Sequence, residues 1–211
     1  MPFNRFSLAV VAVAAVVAAA PVAMAVESQV RTFVVSEDYH TPNEASFTSK
    51  AAIVKFTGRT SQVTGQTVIP IADVAKASGA IKVDLTSLDT GIALRNEHMR
   101  GTIEAEKYPV ATFQVKSIQV PGNQLKPNAA VAGTVTGQMT LHGVTRTLTA
   151  PVELVYLPEQ DANYRAGDWV QITSSFKLKL SDYQIPLPKP VMGIKVADEL
   201  AIDFTSMAKA Q

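Results

Sequence analysis

From residue 29 onward the chain is built of short runs in which apolar or β-branched residues alternate with polar ones. A period of two places every second side chain on the same face of an extended strand, so each run can bury one face and wet the other. The runs read QVRTFVV, EASFTSKAAIVKFTG, QVTGQTVIPI, GAIKVDLTSL, ATFQVKSIQV, AAVAGTVTGQMTLHGV, RTLTAPVELVYL, DWVQITSSFKLKL and DELAIDFTSMA. The second reads as one long or two short strands. Turn-forming stretches such as PGNQLKPN, HGVT and PEQDANYRAGD separate them. No tandem repeat and no low-complexity segment interrupts the pattern. This predicts an all-β chain, either a sandwich or a closed antiparallel barrel. A barrel removes exposed edges, and with about eight strands its interior can be filled by side chains or hold one small ligand.

The period of two fails in one place, SLDTGIALRNEHMRG, residues 87–101. Leu94 and His98 lie four apart, as do Arg95 and Met99, which fits one short helix near residues 89–100. Asp89 or Thr90 can cap its start and Gly101 can end it. Arg95, Glu97 and His98 could serve acid–base chemistry. However, no serine elbow and no paired carboxylates accompany them, and the favoured reading is a structural helix.

The first residues have a different character. Arg5 precedes an alanine- and valine-rich run from Leu8 to Ala20, Pro21 breaks it, and Ala23 and Ala25 supply small residues. This layout predicts a secretory signal peptide, residues 1–25, cleaved after Ala25. The alternative is an uncleaved anchor, because the apolar run is long enough to span a bilayer. Residues 26–211 then form one domain, destined for a periplasm or the cell exterior. Removing Arg5 leaves 18 basic residues, one fewer than the 19 of the whole chain, against 18 acidic ones. That balance gives no electrostatic footprint for nucleic acid or an anionic membrane surface. The chain has no cysteine, which excludes disulfides, a thiol nucleophile and thiolate-held metals.

His40, His98 and His142 are far apart, and none belongs to a close ligand pair, so no metal and no cofactor is expected. His142 sits in LHGVT, where a tight turn at Gly143 suggests a bond to nearby backbone. Pro186, Pro188 and Pro190 alternate in YQIPLPKPVMG and favour a stiff extended segment. That segment could be a lip at a barrel mouth or a connection that blocks edge pairing.

Several of these stretches, taken together and in order, resemble the YceI-like family of exported bacterial lipocalin-like proteins, some of which bind polyisoprenoids. Leu88, Asp89, Thr90, Gly91, Arg95 and His98 match its helical segment, and Tyr108, Pro109, Thr112 and Phe113 the following strand. Gly137, Leu141, His142, Gly143, Val144 and Thr145 match its hairpin, and Gly193, Val196 and Asp198 its closing strand. Asn96 stands where the family usually has aspartate, and SEDYHTPNEASFTSKA and KLSDYQI depart from its usual opening and late stretches.

The resemblance implies a lipocalin-like antiparallel β-barrel of about eight strands. It implies a binding protein, not an enzyme, that holds a polyisoprenoid or similar long amphiphilic lipid for transport, storage or envelope stress protection. The site would be lined by the apolar members of the strands: Phe47, Ile53, Phe56, Phe113, Val115, Met139, Leu141, Trp169, Ile172 and Phe176. Equally, these residues could simply fill a core. Arg95 and His98 are expected to anchor loops, with a secondary contact to a headgroup. Partners would be the lipid, without nucleic acid or stable membrane insertion after cleavage, and with a homodimer left open. Two rivals predict different things: an enzyme using His98 or His142, and a ligand-free envelope protein acting through a protein partner.

Overall fold

The computed structural model describes residues 30–36, 41–50, 55–160, 165–187 and 197–211. The expected signal peptide, His40, Ile53, Pro188, Pro190, Gly193 and Val196 lie outside the described residues. Ten stretches of strand are present: β1 (Val30–Val35), β2 (Glu44–Lys50), β3 (Lys55–Thr60), β4 (Val63–Pro70), β5 (Ser78–Asp84), β6 (Val110–Gln119), β7 (Ala130–Leu141), β8 (Val144–Leu157), β9 (Trp169–Lys179) and β10 (Glu199–Ala210). One α-helix, α1 (Ala93–Thr102), lies between β5 and β6.

Every pairing between these strands is antiparallel. One edge of β10 meets β9, and the other meets first β2 and then β1. β1 and β2 therefore act as one interrupted strand. β3 and β4, which pair with them, act as a second strand bent at Ser61 and Gln62. Counted this way, the sheet is an up-and-down barrel of eight strands closed by β10 on β1. Asn43 bridges the interruption: its Oδ1 accepts from the Met207 N–H (2.7 Å) and the Ser206 hydroxyl (3.0 Å), and its Nδ2 donates to Ser36 O (3.0 Å).

Local chemistry explains the departures from plain alternation. In β6, Ala111, Phe113 and Val115 face inward, and a bulge between Val115 and Ser117 shifts the phase so that Ile118 follows them inward. The β7–β8 connection has two residues, His142 at φ 52° and Gly143 at φ 75°. Two successive left-handed residues are what a tight hairpin with strand-matched twist requires.

The helix differs from expectation at both ends. It starts at Ala93, with Ile92 as an uncapped first position, and Asp89 and Thr90 stand in front of it. Asn96 folds back instead: its Oδ1 accepts from the Thr90 N–H (2.8 Å) and hydroxyl (2.6 Å), and its Nδ2 donates to Asp89 Oδ1 (2.6 Å). Gly101 lies within the last turn, and Glu104 takes the left-handed position beyond it at φ 47°. No residue of α1 is buried.

The two ends of the barrel are closed by different sets of side chains. Phe33, Ile69, Val74, Leu154 and Val170, each at most 1% exposed, seal the end away from α1. At that end Asp168 receives the Arg31 guanidinium and the Tyr156 hydroxyl. At the α1 end, Leu85, Leu88, Leu178, Leu180, Tyr183 and Ile185 pack together under Met99 and Ile103.

Candidate functional site

Between these two plugs lies a cavity of about 940 Å³, its opening to solvent included. Its wall comes from the inward rows of nearly every strand. Ile69 comes from β4, Ile81 and Val83 from β5, Phe113 and Val115 from β6, Val135 and Met139 from β7, Val152 and Leu154 from β8, Ile172 and Phe176 from β9, and Ile202 and Phe204 from β10. Among the described residues, the only polar side chains in the wall are Thr67 and Ser174. The Ser174 hydroxyl donates to Pro151 O (2.6 Å), and the Thr67 hydroxyl has no partner among the described residues. Among the described residues no acid, base, amide or histidine lines the space. Such a wall can hold a hydrocarbon by burial alone.

Of the wall residues expected from sequence, Phe113, Val115, Met139, Ile172 and Phe176 line the cavity. The other described ones do not. Leu141 is buried in the α1-end plug, and Phe47 packs against it. Phe47 and Phe56 meet edge to face, 5.9 Å between centroids. Phe56 lies under the Arg95 guanidinium, 4.9 Å from its ring centre. Trp169 stands at the opposite end, where its Nε1 donates to Ala166 O (3.1 Å) and Lys209 approaches its ring. Leu141, Phe47 and Phe56 share the inward period with the wall but sit above or below the cavity, a distinction that period cannot express, whereas Trp169 lies on the opposite face of β9 from Ile172, Ser174 and Phe176. Sequence reading also missed the small wall residues Ala45, Ala77, Ala111 and Ala150. Their inward phase was readable, but alanine does not look like a ligand contact.

Arg95 holds the helix to the segment before it. Its Nε donates to the Thr90 hydroxyl (2.9 Å) and its Nη2 to Thr90 O (2.6 Å). His98 is exposed on α1, and its side chain makes no hydrogen bond among the described residues. His142 is almost covered. Its Nδ1 lies 3.2 Å from Tyr183 O, its Nε2 3.6 Å from the Glu104 carboxylate, and its ring 4.6 Å from that of Tyr108. It therefore ties the β7–β8 tip to two other connections, in place of the local backbone bond expected at its own turn. Burial and the Asp182 charge hold the Tyr183 phenol above its ordinary pKa, which keeps it neutral in the plug. Among the described residues no cluster of histidine and carboxylate side chains could hold a metal, and no helix is long and apolar enough to cross a membrane.

Residues 26–208 match the YceI-like domain. The chain is 32% identical over 132 residues to a UPF0312 protein of Vibrio parahaemolyticus, covering 62% of this chain and 65% of that one. It is 31% identical over 107 residues to protein YceI of Escherichia coli O157:H7, covering half of each. It thus spans less than two thirds of the length of these relatives. Among solved structures, BcnA of Burkholderia cenocepacia superposes with a TM-score of 0.63 at 25% identity, covering 79% of this chain and 96% of that one. A polyisoprenoid binding domain from Saccharophagus degradans, implicated in plant cell wall breakdown, also superposes with a TM-score of 0.63. It is 20% identical and covers 87% of this chain and all of the domain.

Proposed function

The chain belongs to the YceI-like family, and on that footing we propose that it is an exported carrier that holds a polyisoprenoid or similarly long amphiphile inside its barrel. The observation that carries this reading is the cavity, whose wall is mostly aliphatic and aromatic and among the described residues contains no titratable group. A long hydrocarbon needs no polar recognition. At about 0.8 kcal/mol per buried CH₂, a few isoprene units suffice for tight binding. The same wall favours binding over catalysis, since a reaction needs groups that transfer protons or electrons at the bound molecule.

Residues 1–25 would direct export and be removed, leaving the barrel in the periplasm or outside the cell. There it would transport, store or shield its lipid. The alternative of a ligand-free protein acting through a protein partner sits less well with an interior that is not filled.

Native mass spectrometry on protein purified from its own compartment, followed by organic extraction, tests the carrier reading. One long-chain isoprenoid per chain is the expected result. Ligand-free protein that also takes up no geranylgeraniol in vitro would overturn it.

A further inference from the structure

The outer face of the barrel at the α1 end carries a row of lysines. Lys55 and Lys50 stand directly opposite each other across β3 and β2. Leu200 is opposite Ser49, which sets Glu199 beside Lys50. On the far side, Glu199 is opposite Lys179 of β9, and Lys177 reaches its carboxylate at 2.7 Å. One carboxylate on β10 thus lies among four ammonium groups on three strands, β9, β2 and β3. Like charges directly opposite destabilise a strand pair. Lys50 and Lys55 are exposed and have no ion pair or hydrogen bond among the described residues.

The start of α1 lies against the same edge. Arg59 and Asp89 exchange backbone hydrogen bonds (2.9 Å each), and Arg95 covers the ring of Phe56, the neighbour of Lys55. At this point the chain exposes Ile92 and Leu94, by 53% and 60%. Scattered exposed aliphatic residues need no explanation. An aliphatic pair at the same end as exposed lysines that make no ion pair among the described residues is a different case. Aliphatic side chains partition into the boundary between headgroups and acyl chains, and lysines beside them meet lipid phosphates. Asp89 is engaged locally by Asn96 and Gly91, and Asp198 by Ser181.

We propose that the α1 end of the barrel docks on an anionic bilayer, with Ile92 and Leu94 entering the interface and Lys50 and Lys55 meeting phosphates, and that cargo is exchanged there. The exchange rests on the carrier reading above, whereas the docking stands without it.

Flotation with phosphatidylcholine vesicles, with and without phosphatidylglycerol, tests the docking. The protein is expected to float with the anionic vesicles only, and to be released by salt. The double variant Lys50→Gln/Lys55→Gln should weaken that binding about fivefold per lysine. Ile92→Ser/Leu94→Ser should do so at least as much, and serine suits the first position of the helix, so α1 is kept. Both variants should still take up geranylgeraniol from cyclodextrin but acquire it more slowly from anionic vesicles. Equal binding to both kinds of vesicle, or double variants that float like the parent, would overturn the proposal. Protein that docks but takes up geranylgeraniol from neither source would overturn the carrier reading and leave the docking in place.

Discussion

Placing the same large side chain at two equally buried alanines should give opposite results if the cavity is real space for a ligand. Ala150 of β8 is 2% exposed and lines the cavity, and Ala208 of β10 is 1% exposed in the packed end and does not line it. Ala208→Phe has nowhere to put a ring, and overpacking of this kind costs about 1–3 kcal/mol. With a urea slope of about 1–3 kcal/mol per molar, the unfolding midpoint should drop by roughly 1 M. Ala150→Phe places its ring in empty, apolar space. Burial of the ring, worth about 1.5–3 kcal/mol, offsets the ordering of the side chain and local adjustment, so the midpoint should stay within about 0.5 M of the parent. The ring also occupies the room of about one isoprene unit. At about 0.8 kcal/mol per carbon, the loss is roughly 4 kcal/mol, near a thousandfold in affinity for geranylgeraniol. Urea unfolding and a fluorescence binding titration on the two variants measure both effects. If Ala150→Phe were as destabilised as Ala208→Phe, or if it bound geranylgeraniol like the parent, the space would not be a ligand site.

Other substitutions test the surrounding frame. A Cβ at Gly137 would come within 2.6 Å of the Phe113 ring and press on the backbone of Gln114, so Gly137→Ala should lower stability by about 1–3 kcal/mol, read as a urea midpoint. Arg95→Ala removes two bonds to Thr90 and the contact with Phe56. It should cost about 1–2 kcal/mol and leave isoprenoid affinity unchanged, whereas lost affinity at unchanged stability would make Arg95 a ligand contact. The hydroxyl and N–H of Ser181 hold Asp198 below its ordinary pKa. A lowered folded-state value contributes stability that is present above the ordinary aspartate range, near pH 4, and is lost as pH falls through the lowered value. Asp198→Asn should therefore flatten the fall of the urea midpoint in that acid window. Asp89, lowered chiefly by Asn96, leaves a residual slope of the same sign.

Much of the barrel could be read from the sequence, because each strand announces itself by period and each turn by its residues. The inward phase of Phe113 and Val115 was readable in this way, and so was the break in period that became α1. Closure was not readable. It depends on β10 pairing with β1 across the whole length of the chain, and no local pattern encodes that contact. The split of the first strand around Asn43 was hidden for the same reason, since the partners of Asn43 are at Ser206 and Met207. Helix limits shifted because Asn96 reached back to Asp89 and Thr90, a choice that either side chain could have made in the opposite sense. Within the site, period assigned a face but not a height along the barrel. Phe113 and Leu141 therefore looked equivalent, although one borders the cavity and the other lies in the plug.

What keeps the interior open is residue size. Ala45, Ala77, Ala111 and Ala150 contribute to the wall from β2, the β4–β5 connection, β6 and β8, where leucine or phenylalanine would meet across the lumen. Each small residue gives up dispersion contacts and apolar burial that a larger one would supply, at about 20–30 cal/mol for every Å² left unburied. A barrel selected for stability alone would fill that space, as the cluster around Phe33 and Leu154 does at the sealed end. Along the cavity wall these four alanines mark where stability is forgone. A bound hydrocarbon would restore it, so a carrier of this design should unfold at a higher temperature loaded than empty, by RT ln(1 + [L]/Kd) at the unfolding temperature. Thermal unfolding with and without saturating geranylgeraniol measures this directly. The rise should vanish in Ala150→Phe, because in that variant the protein's own ring already occupies the space.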